Sequence, residues 1–161
     1  MIEYDLKKVV RLEKREDGEV IYNISEILRI PDALGYCIDS MSDLYRDKKL
    51  DAVACCYNRG VVFATPFAYR MHLPLFLVRS SGIVDSNYSY DMAVNLESLK
   101  PNSRILIVDD LIATGSTFKE TRDLLVDRGC LVVGMFAVIG LSYKDYKKDL
   151  PENDINTLIN Y

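Results

Sequence analysis

Apolar residues follow two rhythms along this chain. Continuous apolar runs occur at Asp51 to Tyr57 (DAVACCY), Leu73 to Val78, Ile105 to Val108 and Leu131 to Ile139. Unbroken runs of this length read as strands buried on both faces, the habit of parallel strands. Between them the period lengthens to three and four. Pro31 opens an amphipathic helix with Leu34, Cys37, Ile38, Met41, Leu44 and Tyr45 on one side and Asp32 in its first turn. Val61 to Met71 reads as a second helix, starting late or kinked because Pro66 lies inside it. From Thr117, Phe118, Thr121, Leu124, Leu125 and Arg128 mark a third, with Gly129 as its C-cap.

Weaker patterns fill the remainder. Val9, Val10 and Leu12 form one apolar strip on a short helix or strand, and the charged run Glu13 to Asp17 reads as a solvated turn. Val20, Tyr22 and Ile24 alternate as in a short strand, and Ser25 is placed to cap a helical turn. Ser80 to Asp91 reads as a loop or short hairpin, Met92 to Leu96 as a strand, Tyr143 to Lys148 as a polar helical turn, and Ile155 to Ile159 as a last strand. Strands alternating with helices predict an α/β fold, doubly wound, with a mostly parallel sheet flanked by helices. A single domain over 1–161 is expected.

Composition narrows the function classes. A chain of 161 residues with 49% apolar and 27% charged residues is long enough for a sizeable core without metals or disulfides. A net charge of −4 offers no basic surface, so no nucleic acid is expected. No apolar run reaches membrane-spanning length and charge begins at Glu3, so no membrane span or signal peptide is expected, and the cytoplasm is the expected compartment. Cys37, Cys55, Cys56 and Cys130 have no metal-ligand spacing and read as reduced core residues, with Cys55 and Cys56 facing opposite sides of one strand.

Candidate chemistry concentrates in Arg104 to Glu120 (RILIVDDLIATGSTFKE). Asp109 and Asp110 follow the apolar run at its carboxyl end, where open α/β sheets bind ligands. Ala113, Thr114, Gly115, Ser116 and Thr117 then form a small-residue loop at a helix N-terminus. Unpaired backbone N–H groups and the positive end of the helix dipole suit a phosphate there. Two carboxylates repel phosphate but suit sugar hydroxyls or a magnesium ion. The stretch therefore reads as a site for a phosphorylated sugar. Two more places fall at carboxyl ends of predicted strands: Asn58-Arg59-Gly60 and Arg79, whose arginines could bind a second phosphate group. His72, the only histidine, reads as a surface or packing residue. In the polar loop, Tyr88 and Tyr90 could stack on a planar base, and Asp91 could accept from a base N–H.

Four apolar residues, two acids, two apolar residues and Ala-Thr-Gly-Ser-Thr match, without a gap, the ribose-phosphate signature of the type I phosphoribosyltransferases. The chain resembles that family, and within it the adenine enzymes, from about Glu19 to its end. Ala113 stands where the hypoxanthine-guanine enzymes carry an aspartate. The resemblance implies the type I phosphoribosyltransferase fold, with phosphoribosyl pyrophosphate and a purine base as small-molecule substrates, Mg²⁺ as cofactor and a homodimer. It implies that Asp109 and Asp110 are catalytic and hold the metal, directly or through water, and that Ala113 to Thr117 hold the 5′-phosphate. It further implies that Asn58, Arg59, Gly60 and Arg79 hold pyrophosphate, with Ile21, Tyr22 and Asp91 at the base. The family's lysine-bearing loop becomes Arg79-Ser80-Ser81-Gly82-Ile83-Val84-Asp85, shorter and without lysine, so a reduced hood and loop region is expected. Two alternatives follow from that departure: a non-catalytic regulator binding phosphoribosyl pyrophosphate or a nucleotide, and a transferase for another base.

Overall fold

The computed structural model describes residues 4–56, 59–78, 96, 98–148, 150 and 155–161. Five strands make one parallel sheet: β3 (Ala52–Cys56), β4 (Leu75–Val78), β5 (Arg104–Ile112), β6 (Leu131–Gly140) and β7 (Ile155–Asn160), in the order β4-β3-β5-β6-β7. Apart from it, β1 (Arg11–Lys14) and β2 (Val20–Asn23) pair as an antiparallel hairpin. The helices are α1 (Leu6–Val9), α2 (Ser25–Arg29), α3 (Pro31–Tyr45), α4 (Val61–Arg70) and α5 (Ser116–Asp127). None of them is long and apolar enough to cross a membrane.

The sheet is doubly wound because its buried strands need cover on both faces. Val53, Cys55, Leu106, Val108 and Phe136 point to the side covered by α3 and α4, where Phe63 and Phe67 are fully buried. Their strand neighbours Ala54, Cys56, Ile105, Ile107 and Ala137 point to the side covered by α5 through Phe118 and Leu125. Burying each such phenylalanine contributes about 2 kcal/mol. Cys55 and Cys56 do face opposite cores, and all four cysteines are free and buried.

Register in the centre is set at the bottom of the sheet. Asp51 N–H donates to the Arg104 carbonyl (2.8 Å) and Arg104 N–H to Asp51 Oδ2 (2.7 Å), which starts β3 and β5 level. Val53 then lies beside Leu106 and Cys55 beside Val108. Strand order reverses between β3 and β5, because the chain turns from β3 through α4 to β4 on one side and resumes with β5 on the other.

Several local expectations change. β5 runs on through both aspartates to Ile112, so the acids are strand residues and not the start of a loop. α5 begins at Ser116, one residue early, and Gly129 closes it in the left-handed region (φ 76°) with Cys130 N–H on the Leu125 carbonyl at 3.0 Å. α4 starts at Val61 and continues across Pro66. Proline there removes only one intrahelical bond. Ser25 caps nothing; its N–H donates to Asn23 Oδ1 at 3.0 Å, so Asn23 supplies the acceptor that starts α2. Glu13 and Lys14 belong to β1, and the turn itself is Arg15 to Gly18, closed by Gly18 at φ 86°. Leu96 opens a turn, its carbonyl accepting from Leu99 N–H at 3.1 Å, and does not end a strand. The rest of the predicted Met92 to Leu96 strand and the Ser80 to Asp91 loop lie outside the described residues.

Candidate active site

The reversal between β3 and β5 opens a crevice at the carboxyl ends of the two strands, where doubly wound sheets bind ligands. Asp109 follows the α5-facing series of Ile105 and Ile107; beyond it the alternation breaks, with Leu111 in the α3–α4 core and Ile112 in the α5 core, and Asp110 meets Arg59 ahead of α4. Between β3 and α4, Arg59 and Gly60 rise beside them. Gly60 is a glycine for a steric reason: a Cβ there would lie 2.5 Å from Asp109 Oδ1 and 2.9 Å from Asp109 Cα. Arg59 Nε stands 3.1 Å from Asp110 Oδ2, with the carboxylate 5% exposed and the guanidinium about half in solvent. This is a close ion pair without hydrogen-bond alignment, since no donor among the described residues meets the buried Oδ2 in bonding geometry.

Asp109 Oδ1 accepts the Asp110 backbone N–H at 2.8 Å. Burial, then the neighbouring Asp110 charge, push the Asp109 carboxyl up to about 8, against a weaker downward pull from Arg59. Asp109 is therefore largely protonated at neutral pH. Such a pair can accept from sugar hydroxyls, and it gains charge when a cation arrives.

Gly115 makes the loop after β5 possible. Its φ of 81° is a left-handed conformation, and the missing Cβ leaves room for Leu150 Cδ1 and the Tyr146 carbonyl, which a side chain would meet at 2.8 and 3.0 Å. Thr114 Oγ1 and Ser116 Oγ lie 3.1 Å apart, and Thr114, Ser116 and Thr117 are exposed. No side chain caps α5 and no acid stands in its first turn. Ser116 N–H reaches Thr114 Oγ1 only at 3.5 Å, the limit of a hydrogen bond, so this turn can still offer its N–H groups to an anion.

Beside these parts a cavity of about 830 Å³ lies between the hairpin and Arg59, Leu111, Ala113 and Thr114; Ile21 and Tyr22 line it from the hairpin. Tyr22 is buried, its ring 4.8 Å from that of Tyr161 and its hydroxyl 3.5 Å from that of Tyr143. Burial and the neighbouring Tyr143 hydroxyl push the Tyr22 phenol up to about 12, so it stays protonated.

Of the residues predicted from sequence, Ile21, Tyr22, Arg59, Gly60, Asp109, Asp110 and Ala113 to Thr117 meet at this crevice or its loop. Asn58, Arg79 and Asp91 lie outside the described residues, as do Tyr88 and Tyr90. His72 is exposed on the turn after α4 and does not line the cavity. Leu111, Leu141, Tyr143 and Lys144 also line it and were not foreseen, although Leu141 and its successors follow the long β6 run, where the strand-end rule would have found them. The described residues hold no group of three or more histidine, cysteine or acidic side chains arranged to hold a metal ion by themselves. Two adjacent carboxylates nonetheless match what a magnesium ion takes from protein when substrate phosphates and water supply the rest.

Residues 23–159 match the family model for the phosphoribosyl transferase domain. The chain is 40% identical over 154 residues to the adenine phosphoribosyltransferase of Treponema denticola, covering 89% of this chain and 81% of that protein. To that of Acaryochloris marina it is 31% identical, covering 98% and 99%. The crystal structure of the Thermoanaerobacter pseudethanolicus adenine phosphoribosyltransferase superposes with a TM-score of 0.83 at 26% identity, covering 98% of both chains. The Giardia lamblia enzyme complexed with 9-deazaadenine has the same fold at a TM-score of 0.83 and 16% identity, covering 98% of this chain and 96% of that one. Crevice, acidic pair, open helix terminus and these likenesses agree: the chain belongs to the phosphoribosyltransferase family.

Proposed function

We propose that this chain transfers ribose-5-phosphate from phosphoribosyl pyrophosphate to adenine, giving AMP and pyrophosphate, in purine salvage. The observation that carries the reading is the convergence, at one strand reversal, of an acidic pair, an arginine and an uncapped helix N-terminus. Backbone N–H groups and hydroxyls of Ala113 to Thr117 hold the 5′-phosphate. Asp109 and Asp110 take the ribose hydroxyls. Arg59 and Gly60 receive the pyrophosphate, joined by Asn58 and Arg79. Ile21, Tyr22 and Asp91 orient the base.

During transfer the C1′–O bond to pyrophosphate breaks, the leaving group keeps the electron pair, and the adenine ring nitrogen closes on C1′ and loses its proton. Positive charge builds on the ribose as that bond lengthens, and the carboxylates beneath it stabilise that charge. Arg59 stabilises the negative charge growing on pyrophosphate. Mg²⁺, held by Asp109 and Asp110 directly or through water, would neutralise phosphate charge. The protein acts in the cytoplasm as a homodimer of one-domain chains.

Pyrophosphate release with each nucleobase in turn tests this reading, with Asp109→Asn/Asp110→Asn as control. Adenine-dependent release well above the control is expected. Turnover with another base alone would reassign the substrate, and calorimetric binding of phosphoribosyl pyrophosphate without any turnover would make the chain a sensor.

A further inference from the structure

The loop that meets the 5′-phosphate does not stand on its own helix alone. The space left by the absent Gly115 side chain is taken by Leu150 Cδ1 and the Tyr146 carbonyl, at 2.8 and 3.0 Å from where a Cβ would be. Both residues are buried, Tyr146 at 4% and Leu150 at 5% exposure. They belong to the stretch that follows β6 and its 3₁₀ turn at Ser142–Lys144, and they form a floor under the loop.

That floor is fixed at a second point. Tyr146 Oη donates to Asn160 Oδ1 at 3.1 Å, at the end of β7. The same oxygen receives Thr157 Oγ1 at 3.1 Å and, more weakly, Ser142 Oγ at 3.5 Å. Gly140 leaves space for the junction, since a Cβ there would collide with Asn160 Oδ1 and stand 2.9 Å from Tyr146 Oη. The edge strand is thus connected to the phosphate loop through one aromatic side chain: hydroxyl on Asn160, backbone against Gly115.

Resting on the reading that Ala113 to Thr117 hold the 5′-phosphate, we propose that Tyr146 and Asn160 are positioning residues for that loop. They touch no reacting atom. They hold the floor that keeps Gly115 left-handed and the first N–H groups of α5 converging on one point. Phosphate recognition by backbone groups depends on such fixed geometry, because backbone donors cannot reorient individually.

Steady-state kinetics on Tyr146→Phe and Asn160→Leu test this, with the unfolding temperature measured beside them. Tyr146→Phe keeps the ring and loses the hydroxyl. The expected result is a KM for phosphoribosyl pyrophosphate raised about threefold to tenfold, the range of one lost hydrogen bond, with kcat and the KM for adenine within about twofold. Asn160→Leu should do the same, and the double variant should add little to either single one. A merely structural role would lower the unfolding temperature and the active fraction while leaving both KM values alone; that pattern overturns the proposal, as does an equal rise in both KM values. If the native chain shows no turnover with any base, the functional reading fails first. Calorimetric affinity for phosphoribosyl pyrophosphate in native and variant chains then still decides whether the floor positions the loop.

Discussion

From Asp109 to Thr117, nine consecutive residues carry both carboxylates, the left-handed glycine and the start of α5. Leu111, Ala113 and Thr114 of this stretch face a cavity whose other wall takes Tyr22 from β2 and Leu141 and Tyr143 from beyond β6, with Tyr161, following β7, behind Tyr22. The first wall works through backbone geometry and a pair of adjacent carboxyl groups. The second works through side chains held by other side chains. Contiguous backbone sites tolerate little change at their glycines, whereas side-chain walls can vary residue by residue. A family can therefore keep the strand-end loop and vary the wall that faces it.

The largest effect that would test this contrast is expected at Gly60. Gly60→Ala forces a Cβ onto the backbone and carboxylate of Asp109, so we expect turnover to fall about 100-fold from misplacement of the acid. Stability should drop by about 2–4 kcal/mol in denaturant unfolding. Arg59→Ala comes next. It removes the counter-charge of a buried carboxylate, so the KM for phosphoribosyl pyrophosphate should rise by at least about tenfold. Stability should fall by only about 1–2 kcal/mol, because the guanidinium is half in solvent.

A third test is pH. Asp109 sits at about 8 in the native state against an ordinary 3.8, so between those values the native chain holds a proton that the unfolded chain has released. Its contribution to stability is full below about pH 4 and is lost as pH rises through about 8, with a slope of at most about 1.4 kcal/mol per pH unit. Asp109→Asn removes that slope. Unfolding curves from pH 5 to 9 should show the variant gaining on the native chain as pH rises. Parallel curves would mean that the acid is not held protonated. The smallest effect belongs to the hairpin wall, which we propose faces the base: Tyr22→Phe cuts a 3.5 Å hydroxyl contact and should change the adenine KM by no more than about threefold. An effect there as large as that of Arg59→Ala would erase the distinction between the walls.

What could be read from the chain before its structure divides along the same line. The run Ile105 to Val108 identified a buried strand, and Asp109 to Thr117 identified a strand end, a left-handed glycine and a helix start, because all three are local. Arg59 and Gly60 were legible as a strand end too. The contact between Gly60 and Asp109 required the β3–β5 register, which is set far away at Asp51 and Arg104. Tyr146 and Leu150 gave no signal, since a polar turn says nothing about which loop it will support. Ser25 misled for a simpler reason. Asn23, two residues earlier, offers the same kind of acceptor with better reach.

Adjacent thiols on one strand have a consequence for watching this protein move. Cys55 faces the α3–α4 core and Cys56 the α5 core; burial pushes both thiols far up, Cys56 to about 12, so neither forms appreciable thiolate in the native fold. Alkylation at either sulfur must wait for its own layer to open. Two neighbouring atoms thereby become separate clocks for the two faces of the sheet. Mass spectrometry that resolves which of them is labelled first would tell whether the helices leave the sheet together or one layer at a time.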